Sequence, residues 1–179
     1  MTRSVRSKLY DLTGIEGKSI EAIVIASLFG AFQAIIVFHF GDVTGVKMIG
    51  ASAGHWDKIT GGLMVIVYSL IFGGIFLGVI AGSVNPFVTR VIMLSQNSAL
   101  LQKFLVPLLT RSALGVTLLA IGQLYGIIIG LVFHGILLQL WLEAIGAPAQ
   151  FPAFGLASTV AWMAYGATMG LVYGLLMEQ

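Results

Sequence analysis

Residues 113–141 read ALGVTLLAIGQLYGIIIGLVFHGILLQLW, with no charged side chain. As a helix rising 1.5 Å per residue this run is about 43 Å long, more than the ~30 Å hydrocarbon layer of a bilayer, so it must tilt or protrude. Within it Gly122, Gly126 and Gly130 recur every four residues and share one helical face. An uncharged length and a face stripped of side chains together describe a helix that crosses lipid and lies close against a neighbour.

Three more runs have no charge in their interior: Glu21–Phe40, Leu63–Val84 and Gly155–Met177. The prolines lie outside them, and the ten-residue alternation of barrel strands is absent. The expectation is an all-α integral membrane protein, with four transmembrane helices in a compact bundle forming one membrane domain over residues 1–179. Composition agrees. The chain is 58% hydrophobic and 9% charged, whereas soluble domains are about a quarter charged.

The start of the chain carries Arg3, Arg6, Lys8 and Lys18 before an uncharged stretch, as a signal sequence does, and Ala51-Ser52-Ala53 offers a cleavage-like triplet. The uncharged stretch is about 20 residues, long enough to span, and it reads as an uncleaved first helix. Between the second and third runs, Leu100, Leu101, Phe104, Leu105 and Leu108 recur with helical period beside Gln102, Lys103 and Arg111. This segment, about residues 88–110, reads as an amphipathic helix on the membrane surface. Leu9, Tyr10, Leu12 and Ile15 could lie on the surface in the same way.

Arg90, Lys103 and Arg111 join the four basic residues of the N-terminus on one side of the bilayer, against Lys47 and Lys58 on the other. Positive residues stay inside, so both termini are expected in the cytoplasm of a multi-pass cell-membrane protein. Trp56 and Trp141 then fall at the outer interface. Scattered basic residues and a net charge of +2 argue against a nucleic-acid partner. With no cysteine, thiol chemistry and thiolate ligation are excluded.

Small residues four apart mark every span: Ala26, Gly30 and Ala34; Gly74, Gly78 and Gly82; Gly122, Gly126 and Gly130; Gly166, Gly170 and Gly174. They predict close helix packing, within the bundle or with another chain. Two tandem hairpins are hinted at by Phe72-Gly73-Gly74 beside Tyr165-Gly166, and by Val37-Phe38-His39 beside Val132-Phe133-His134.

Few polar residues could carry chemistry. His134 shares a stripe with Gln123, Gly126 and Gly130, which implies either an interhelical hydrogen bond or a ligand. As a ligand it would serve a haem or other tetrapyrrole, with His39 as second axial imidazole; otherwise no cofactor is expected. His39, Asp42, His55 and Asp57 form a second candidate set, for zinc or copper. Gln33, Gln123 and His134 could instead line a path for a small neutral solute. Phosphate loops, nucleophile elbows and zinc-protease helices are absent, so no enzyme is expected.

The stretch Arg111–Gly122, with Leu124-Tyr125-Gly126, Leu140-Trp141-Leu142, Tyr165-Gly166 and Val172-Tyr173, resembles small four-span proteins abundant in haloarchaea, some of which are labelled histidine kinases. The resemblance runs loosely over residues 20–177 and implies a four-span fold. It implies no kinase, for which the chain has no ATP lobe. Where that family's pattern places histidines in the second and fourth spans, this chain has Val65 and Trp162. The expected function is a non-catalytic accessory or structural subunit of a larger membrane complex, such as a respiratory one, or a homo-oligomer. Its partners would be lipid and other membrane subunits or itself. A haem- or pigment-binding electron-transfer subunit and a solute facilitator are the alternatives.

Overall fold

A computed structural model describes residues 17–96 and 112–179, without the side chains of 81–96 and 113. The surface helices expected at 88–110 and at the N-terminus fall largely or wholly outside the described residues. Among those residues the regular structure is helical, with no strand: α1 (Gly17–Gly41), α2 (Val43–Ala51), α3 (Lys58–Gln96), α4 (Ala113–Ile128), a π-helical segment (Ile129–Leu137), α5 (Leu138–Ala144) and α6 (Leu156–Glu178). Four stretches are long and apolar enough to cross a membrane: Gly17–Gly41, Lys58–Ile80, Leu114–Ala144 and Leu156–Glu178.

Three differences from the sequence reading have physical causes. First, α3 continues through Pro86 to Gln96, because one proline costs a hydrogen bond without forbidding the helix. At 39 residues it is about 58 Å long, so it extends past a ~30 Å hydrocarbon layer. Second, the connection after α1 is not loop but α2. Asp42 starts it, its Oδ1 accepting the Gly45 N–H at 2.7 Å as a side-chain N-cap. Third, the long third span changes from α to π register at Ile129.

In space α1 packs on both α3 and α6, and the most extensive interface joins α6 to α4. Glycine accounts for that interface. A Cβ on Gly126 would lie 2.8 Å from Met163 Cα, one on Gly130 2.9 Å from Thr159 Cα, and one on Gly166 2.9 Å from Gly126 N; one on Gly170 would overlap the Leu118 carbonyl. Two helices approach to backbone contact because neither carries a side chain there, and dispersion supplies the attraction that lipid-solvated helices otherwise lack. Gly30 does the same for α1, where a Cβ would lie 2.7 Å from the Tyr165 carbonyl.

The remaining edge is closed by tyrosines. Tyr125 of α4 donates to the Phe72 carbonyl at 2.8 Å and Tyr165 of α6 to the Ser69 carbonyl at 2.6 Å, tying both helices to α3. An interhelical hydrogen bond in a membrane contributes about 1 kcal/mol. Phe38, Phe72, Phe133 and Tyr165 surround the fully buried Trp162, each in edge-to-face contact with it.

The glycine row of α3 behaves otherwise. Gly74 and Gly78 are exposed, and a Cβ on either would meet nothing within 4 Å among the described residues. Within the bundle α3 uses Gly73 instead, where a Cβ would overlap Ser27 Oγ. Gly82 lies where side-chain surroundings are undescribed. The second and fourth spans, alike in sequence, therefore turn their glycine rows to different environments.

Candidate functional site

Opposite the start of α1 and the end of α6, where α1 meets α2 and where residues 145–155 return to α6, the helices enclose a cavity of about 360 Å³. Such a volume falls within the range of small-molecule sites. Asp42, Thr44, His134, Gln150 and Ser158 give it a polar wall, and Met48, Pro152 and Phe154 an apolar one. Thr44, Gln150 and Pro152 are solvent-exposed, so the cavity opens at this end.

Each polar group is placed by the fold. Asp42 ends α1, its N–H donating to the Phe38 carbonyl at 2.9 Å, and begins α2. One carboxylate oxygen is used by the cap, while the other lies 3.9 Å from the position of a Cβ on Gly155. Ser158, in the first turn of α6, donates to the Gly155 carbonyl at 3.0 Å, which leaves its oxygen free to accept.

His134 sits in the π segment, 2% exposed, with its ring centroid 5.8 Å from that of Phe38. Among the described residues its Nδ1 has no hydrogen-bond partner, so the expected interhelical bond is not made through that nitrogen with any of them. Buried polar atoms are nearly always satisfied, and an orphan calls for an explanation. π segments recur at functional sites. Here the five-residue spacing brings Gln139 Nε2 to the His134 carbonyl at 3.2 Å, and Gln139 Oε1 accepts the Gln150 N–H at 3.1 Å. Gln139, fully buried, thus holds the returning loop against the segment that carries His134. Sequence reasoning missed Gln139. Its five-residue separation from His134 carries a meaning only once the π register is known.

The structure does not gather the other candidate sets. His39 is exposed and lies edge-to-face against Phe40 at 5.2 Å; its neighbour Phe38 is the α1 residue in contact with His134. The paired axial ligation of His39 and His134 therefore has no shared pocket. His55 is exposed, and Asp57 is used as a cap, accepting the Ile59 and Thr60 N–H groups at 2.8 and 2.9 Å. Hydrogen bonds from Thr60 hold the Asp57 carboxyl below the usual carboxylate range. Among the described residues no three His, Asp or Glu side chains come together as a metal site. Gln33 is exposed on α1 and Gln123 half-buried on α4, and neither lines the cavity with His134.

Comparison of the chain with sequence models of known families, with curated proteins and with solved structures finds no match.

Proposed function

We propose that this chain is a non-catalytic integral membrane protein that works by lateral association, as an accessory subunit of a larger complex or as a homo-oligomer. The observation that carries the reading is the open glycine row of α3. The rows of α4 and α6 are consumed by each other, but Gly74 and Gly78 face outward among the exposed Ile71, Ile75 and Val79. Glycine in a helix costs about 1 kcal/mol relative to alanine, and toward lipid it gains no contact. Toward another helix it permits backbone-level approach. Gln33, an amide exposed midway along α1, adds a polar group whose hydrogen bonds lipid tails cannot satisfy.

The excess of Lys and Arg in the terminal segment and in residues 85–112 supports cytoplasmic termini. The likeness to haloarchaeal four-span proteins supports the same bundle in that setting. Native mass spectrometry of the protein released from its own membranes tests the association. The wild type is expected as an assembly with itself or another subunit, and Gly78→Leu as a monomer. A wild-type monomer without partners would remove the proposal.

A second reading, a bundle that binds a small ligand, is favoured by one feature the first does not use, a cavity lined by His134, whose buried Nδ1 has no partner among the described residues.

A further inference from the structure

We infer that the cavity between α2, the π segment and the start of α6 binds a small primary ammonium compound through Asp42, His134 and Ser158. The inference stands independently of lateral association. It rests on an inventory of what the wall offers and what it has already used.

Asp42 has spent one oxygen on the Gly45 N–H and keeps the other. Ser158 has spent its hydroxyl proton on the Gly155 carbonyl and keeps its oxygen lone pairs. His134, 2% exposed, lines the cavity, and its Nδ1 has no partner among the described residues; a neutral imidazole has one acceptor nitrogen. Besides the exposed Thr44 and Gln150, which can donate or accept, the wall presents three acceptors, one of them a carboxylate, and no cationic side chain among the described residues lines it. An ammonium head group is the complementary shape in hydrogen-bonding terms, having three donors and no acceptor. The bond to the carboxylate is charge-assisted.

The opposing consideration is helix polarity. The starts of α2 and α6 both border the cavity, and each contributes about half a positive charge. Together they offset much of the Asp42 charge, so selectivity rests on the match of donors to acceptors rather than on net field. They also make a carboxylate the competitor to exclude, since helix starts hold anions. For size, at about 30 Å³ per water in the liquid, 360 Å³ corresponds to roughly a dozen waters, ample for an ammonium head with a short apolar tail against Met48 and Phe154.

The test uses the full chain in lipid nanodiscs at pH 8, above the ordinary imidazole range of about 6.5. Imidazole nitrogen resonances are followed by NMR during titration with n-propylammonium, n-propanol and propionate. His39 and His55, both exposed and outside the cavity, serve as internal references. Propylammonium is expected to move the His134 resonances saturably and to leave the other two in place; the alcohol and the carboxylate are expected to bind at least tenfold more weakly. Asp42→Asn, which retains an equally good helix cap, is expected to weaken propylammonium binding about tenfold while leaving the wild-type His134 chemical shifts of the free protein nearly unchanged. Equal or stronger binding of propanol or propionate, uniform movement of all three histidines, or no saturable shift would each overturn the assignment.

Discussion

Adding one methyl group at Gly170 should destabilise the bundle severely, whereas the same change at Gly78 should not. A Cβ on Gly170 would overlap the Leu118 carbonyl and lie 3.2 Å from Leu119 N. Both obstacles are backbone, so relief requires moving α6 away from α4 and opening the neighbouring contacts of Gly166 and Gly174. Overpacking of a well-packed core costs about 1–3 kcal/mol, and backbone obstacles put Gly170→Ala near the upper end, at roughly 2–3 kcal/mol after alanine's helix preference is allowed for. At Gly78 a Cβ meets nothing within 4 Å among the described residues, so Gly78→Ala keeps only that preference, a gain of about 0.5–1 kcal/mol. The assay is thermal unfolding in a mild detergent, followed by the fluorescence of the buried Trp162 and compared with far-ultraviolet circular dichroism. With about 2–4 °C per kcal/mol for a chain of this size, Gly170→Ala should melt roughly 4–12 °C below the wild type and Gly78→Ala at or slightly above it. Equal melting of Gly170→Ala and wild type would refute backbone contact between α4 and α6.

Other outcomes follow from single bonds. Gln139→Leu strands the Gln150 N–H that Gln139 Oε1 accepts and is expected to cost about 1–3 kcal/mol, with hydrogen exchange accelerated in residues 147–155; unchanged exchange there would remove the proposed tether. Tyr125→Phe deletes the donor to the Phe72 carbonyl and should cost about 1 kcal/mol in the same unfolding assay, while a neutral result would mean that the aromatic contact alone holds the edge. Asp57 is a carboxyl held below its ordinary 3.8 in the folded state. Its contribution is therefore complete above that value and declines as pH falls through the lower folded value. A melting profile from pH 6 to 2 should be flatter at its acid end for Asp57→Asn than for the wild type, and superimposable profiles would count against the cap.

The four spans were legible because apolar length is a property of sequence alone. Glu21–Phe40 and Gly155–Met177 lie within a few residues of α1 and α6 at either end. The glycine faces of α4 and α6 were legible too, since a four-residue repeat fixes a face whatever it meets. What each face meets was not: Gly73, outside the row, turns to Ser27, while Gly74 and Gly78 turn outward. That choice depends on the rotation of α3, which its neighbours set. The site was half legible. His134 and Asp42 stood out as rare polar residues, but their association depends on α2, an element read as loop, and on a π register at Ile129 that shifts every later side chain from its α-helical direction. His39 is exposed on α1 and does not line the cavity that His134 borders.

The absence of cysteine makes the central proposal, association through the open row of α3, directly measurable. Ile75→Cys, an exposed position beside the row, can be labelled in native membranes with a thiol-reactive benzophenone and photolysed. The account predicts a cross-linked product of discrete mass, containing a second copy or another membrane subunit, and none when the photoprobe is placed instead at the exposed Leu156 of α6 through Leu156→Cys. Labelling of Ile75→Cys that gives only lipid adducts, or the same protein adducts as Leu156→Cys, would contradict it.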